Sequence, residues 1–194
     1  MINKLLSYLR VHIDFSVIAL MVMFMVAVLA TLLGAHQLSD YNIGVVLILF
    51  APLMCIGIFT SVFSKDYQHG FSDLVTTYRE PQWRIFFYRY VLSLILYFMP
   101  LLLAFLAFFV HPGRAASNPF PVIGQMFSMS LTLANFSILL SIGGKRFDLG
   151  TIGGFLAFLA LIRIPLPHTV YIFLFPMVAV VCGVGALGLF QMRR

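Results

Sequence analysis

Charge is what this chain has least of. Lys, Arg, Asp and Glu supply 9% of its 194 residues, against about 25% in ordinary soluble domains. So few ions cannot cover a surface in water, which excludes a free-standing soluble domain. Cysteine is almost missing as well. Cys55 and Cys182 both fall inside apolar runs, where they read as small packing residues and say nothing about compartment. No GxxxxGKS or GxxxxGKT loop occurs, so the chain does not cradle nucleotide phosphates by that route. His12, His36, His69, His111 and His168 are scattered, with no pair at the helical spacing a metal centre uses. The six acids, Asp14, Asp40, Asp66, Asp73, Glu80 and Asp148, all stand outside the apolar runs. That removes the buried ionisable group a proton- or sodium-coupled carrier needs, and no nucleophile is paired with a base for catalysis.

What the chain does have is hydrocarbon. It is 62% hydrophobic, with mean hydropathy +1.04. A membrane-spanning helix takes about 20 mostly apolar residues, and such runs stand at 17–35, 43–63, 91–110, 122–142 and 170–190. A sixth, 149–166, is interrupted at its outer end by Arg163 and Pro165. The expected fold is an all-α polytopic membrane protein: six transmembrane helices in one domain over residues 1–194. With six spans and a cytoplasmic N-terminus, Lys4, Arg10, Lys65, Arg79, Arg84, Arg89, Lys145, Arg146, Arg193 and Arg194 lie inside. Arg114 and Arg163 lie outside. The positive-inside rule asks for this asymmetry and places both termini in the cytoplasm. The net charge of +6 is therefore an orientation signal rather than a nucleic-acid footprint. Lys4 and Arg10 before an apolar run resemble a signal peptide, but that run is longer than the 7–15 residues such a segment uses.

Residues 1–15 separate into an apolar face (Ile2, Leu5, Leu6, Leu9, Ile13) and a polar one (Asn3, Ser7, Arg10, Asp14). This predicts an amphipathic helix lying on the membrane surface. The outer connections, HQLSDYN, HPGRAASNPFP and PLPHT, are short. Gly150 with Gly154, and Ala179 with Gly183, form small-xxx-small pairs suited to close helix packing, within the chain or against a second copy.

Residues 65–89, KDYQHGFSDLVTTYREPQWRIFFYR, interrupt this pattern. They hold seven of the eighteen charges, and burying them in lipid would cost about 20 kcal/mol at about 2.5–3.5 kcal/mol each. The interval must therefore be cytoplasmic or interfacial. It is also helical in pattern: Tyr67, Phe71, Leu74, Val75 and Tyr78 share one face, with Asp66, His69, Asp73, Thr76, Thr77 and Glu80 opposite. Pro81 ends that helix and can open the next. Trp83, Phe87 and Tyr90 then mark the interface, with Arg84 and Arg89 expected at the headgroups. The aromatic face either rests on the membrane or enters a groove on another protein.

In this interval the chain resembles the permeases of type-2 ABC exporters. Those have six spans with both ends inside and a coupling helix between spans two and three. Its usual pattern is an acidic residue, Gly about four later, an acidic residue and Leu, then Pro, Arg and a basic residue. Asp66, Gly70, Asp73, Leu74, Pro81, Arg84 and Arg89 follow that order. Phe71 departs from it, since a small hydroxyl residue commonly follows the Gly, and the outer segment between the last two spans is shorter than in some relatives. The resemblance implies that Asp66, Tyr67, Gly70, Phe71, Asp73, Leu74, Tyr78, Pro81 and Arg84 couple the chain to a cytoplasmic ABC ATPase, present in two copies. The ATP and Mg would be bound there and no cofactor by this chain. It implies a second permease chain, identical or related, around an export path for an amphipathic or hydrophobic cargo, such as an antimicrobial peptide or lipid-like molecule.

The candidate path residues are Gln125, Ser128, Thr132 and Asn135, a polar ribbon at i, i+3, i+7 and i+10 in the fourth span. They either line a route or make the interhelical hydrogen bonds ordinary in membrane bundles. Met21, Met23 and Met25 give the first span a soft surface, for cargo or for lipid. Two alternatives stay open: a six-helix substrate-binding subunit of a vitamin importer, and a small channel or scaffold working without ATP.

Overall fold

The computed structural model describes residues 15–34, 40–68, 81–110, 120–144, 146–164 and 167–192. Among the described residues there are six helices and no strand. In chain order they are α1 (Phe15–Gly34), α2 (Asp40–Gln68), α3 (Gln82–Val110), α4 (Phe120–Gly144), α5 (Phe147–Arg163) and α6 (His168–Gln191). All but α5 are long and apolar enough to cross a membrane, which makes this a multi-pass membrane protein. α5 has 17 residues and rises about 25 Å, short of the roughly 30 Å hydrocarbon layer. The surface helix expected over residues 1–15 falls outside the described residues, apart from Phe15 at the start of α1.

Two helices form the centre. In α2 and α4, 67% and 61% of the apolar window is buried, against 17% in α1 and 28% in α6. α4 packs most extensively on α6 and α2, and α5 closes against both α4 and α2. Small residues permit these approaches. Gly150 meets Ser141 and the Ser137 carbonyl, Gly154 meets Ser137 and Ile56, and Gly183 faces Asn135. Both small-xxx-small pairs thus have partners inside this chain. Polar links reinforce the seams: Thr132 Oγ1 donates to the Phe175 carbonyl at 2.8 Å, Asn135 Nδ2 to the Ala179 carbonyl at 3.0 Å, and Thr151 Oγ1 to Thr60 Oγ1 at 3.4 Å. Away from water each such bond spares a polar group the cost of going unpaired.

The helix ends extend the sequence reading at one place and match it at another. α2 runs 29 residues, about 43 Å, so Lys65–Gln68 continue it beyond its apolar window instead of beginning a separate element. α3 starts at Gln82, directly after Pro81, so the re-entry segment and the third span are one helix. With no Pro or Gly between residues 82 and 99, nothing divides it. Its base is clamped. Phe63 and Phe86 rings lie 5.0 Å apart and Phe86 and Phe190 5.6 Å, while Tyr90 meets Phe59 edge-on at 5.3 Å. Gln82, with its amide nitrogen assigned toward α6 from its partners, donates to the carbonyls of Phe190 (2.8 Å) and Gln191 (3.1 Å). These are among the last carbonyls of α6, which its own backbone leaves without donors.

Candidate functional site

α3 crosses α4 at a distance. Tyr97 and Phe98 reach Phe127 (centroids 6.3 and 5.3 Å apart), and below that contact the two helices separate. The gap is a cleft of about 610 Å³ between α3, α4 and α6. Trp83, Phe87 and Tyr90 form one wall, Pro176, Val180 and Val184 the other, with Ser128, Leu131 and Asn135 at the back. Trp83, Phe87, Pro176, Val180 and Val184 are exposed, so the cleft opens sideways on the outer surface of the bundle. The ring contacts bound it at both ends, Phe98 on Phe127 and Phe86 on Phe190. Phe86 and Phe98 are twelve residues apart, about 18 Å of helix.

No charged side chain lines the cleft, and its polar side chains are Trp83, Tyr90, Ser128 and Asn135. Ser128 donates its hydroxyl hydrogen to Gly124 O at 2.9 Å, leaving its lone pairs. Asn135 is 5% exposed. Its Nδ2 donates to the Ala179 carbonyl of α6 at 3.0 Å, and its amide is within side-chain hydrogen-bonding reach of Tyr90 on α3.

The expected path residues divide. Ser128 and Asn135 line the cleft, and Thr132 points from the same ribbon into α6. Gln125 instead lines a second cavity of about 440 Å³, with Gly44, Met129, Leu161 and Tyr171 among its neighbours. In α1, Phe24 is buried, Met21 and Met25 pack on the core, and Met23 is exposed.

Of the expected coupling residues, Asp66 and Tyr67 occupy the last turns of α2. Gly70, Phe71, Asp73, Leu74 and Tyr78 lie outside the described residues. Pro81 and Arg84 open α3: Arg84 N donates to Pro81 O at 2.9 Å, and the exposed guanidinium sits 5.3 Å from the Trp83 ring centroid. Arg89 differs from its expected place at the headgroups. It is 3% exposed, with its guanidinium 6.0 Å from the Phe190 ring centroid. Residue 190 is a hundred positions away, so local pattern held no sign of it. Trp83, Phe87 and Tyr90, read from the sequence as interface markers, form one wall of the cleft, whereas Phe86, Phe98 and Phe127 were not singled out. Among the described residues no group of three His, Cys, Asp or Glu side chains converges on a metal-sized site. No family model, curated protein or solved structure matches the chain.

Proposed function

We propose that the chain is the membrane-spanning permease subunit of an ATP-driven exporter of the type-2 ABC class, moving an amphipathic or hydrophobic cargo by alternating access. One observation carries this reading. α2 is helical through Gln68 and α3 begins at Gln82, so the charged interval is a short link between two long helices. The link bears the acidic–Gly–acidic–Leu–Pro–Arg order of a coupling segment. A partner engaging the segment between these two helices would act on chain joined directly to both helix ends. The clamped base of α3 would receive that displacement, since Phe86 and Arg89 stand one and two turns beyond Gln82.

In this reading α5 is the sixth span, shortened at its outer end. Six crossings collect ten of the twelve Lys and Arg residues on the cytoplasmic side, with both termini there. The ATPase is a separate chain in two copies, a second permease subunit completes the pathway, and conformational change follows from unequal affinity of the two states for the nucleotide-bound partner.

The test is co-purification of the tagged chain with an ABC ATPase subunit. Phe71→Asp and Leu74→Asp place a charge on the apolar face of the link. They are expected to release the ATPase while leaving the permease's own thermal unfolding in detergent unchanged. Unaltered assembly and ATPase activity in both variants would remove the coupling assignment.

A further inference from the structure

We draw no further inference here: the strongest candidate, the apolar cleft of about 610 Å³ between α3, α4 and α6, opens sideways on the outer surface of the bundle, and nothing in the structure shows what covers it.

Discussion

Gly150→Ala is the smallest change expected to pry this bundle apart. A Cβ built on Gly150 falls on Ser141 Oγ and on the Ser137 carbonyl oxygen, with Ser141 Cβ at 2.9 Å. The hydroxyl can rotate away, but the carbonyl belongs to the backbone of α4 and cannot. The helices must therefore separate by about an ångström at that point. Gaps of 0.5–1 Å forfeit about a quarter to a half of each 0.1–0.2 kcal/mol atom-pair attraction. Over roughly twenty pairs along the seam, the loss is about 1–2 kcal/mol, within the range of overpacked cores. Two glycines serve as internal controls. A Cβ on Gly153 meets only the flexible end of Leu140, and one on Gly188 meets nothing within 4 Å. Denaturant unfolding in mixed micelles, followed by circular dichroism, should rank Gly150→Ala about 1–2 kcal/mol below wild type. Gly153→Ala should fall within about 0.5 kcal/mol of wild type, and Gly188→Ala level with it or above, because Ala favours helix over Gly. If Gly150→Ala is as stable as Gly188→Ala, the α4–α5 seam is not the close contact described.

Two further outcomes follow from the same packing. Thr132→Val removes the donor to the Phe175 carbonyl and should cost about 0.6 kcal/mol, the average for such bonds between membrane helices; a loss above about 2 kcal/mol in the same assay would mean the threonine does more than tie α4 to α6. Phe190→Ala removes the ring between Phe86 and Arg89. It should cost about 1–3 kcal/mol, below the 3–5 kcal/mol of soluble cores, because the lost neighbours are replaced by lipid rather than water. Hydrogen exchange should rise at residues 82–90 before it rises in α2 or α4, and uniform exchange across the three helices would contradict a local clamp.

The spans were the most legible feature, because apolar length is a property of the chain itself. Residues 17–35, 122–142 and 170–190 each fall within a few residues of α1, α4 and α6. The third helix was harder. Residues 82–90 carry two arginines among aromatics, which reads as an interface anchor, yet the helix runs straight through them and buries Arg89 against Phe190. Half of the cleft was also visible. Ser128 and Asn135 stood out as polar residues at helical spacing, and the sequence left open whether they line a route or bridge helices. Asn135 bridges helices, with Nδ2 bonded to α6, and also lines the cleft. The other half is a gap between α3 and α4, and a gap is set by where third parties hold two helices, which no local pattern encodes. The glycines show the same division: their spacing announced a tight seam, but not that Ser137 and Ser141 would form its other side.

The seams are unequal in a way that bears on movement. α4 is joined to α6 by two side-chain hydrogen bonds and a glycine approach, and to α5 by glycines against serines. Displacing α6 or α5 from α4 would expose polar groups to hydrocarbon, which is costly. α3 meets α4 through Tyr90 beside Asn135 and Tyr97 beside Ser130, and is held at its base by aromatic rings and the Gln82 amide and higher up by Phe98 on Phe127. Two residues past Phe98 comes Pro100, which lacks the N–H that would bond the Leu96 carbonyl and so weakens the helix there. A swing of the lower half of α3 about residues 96–100 would have to uncover Ile85, Phe86 and Arg89, all now buried, so this half of α3 is held to the bundle as well.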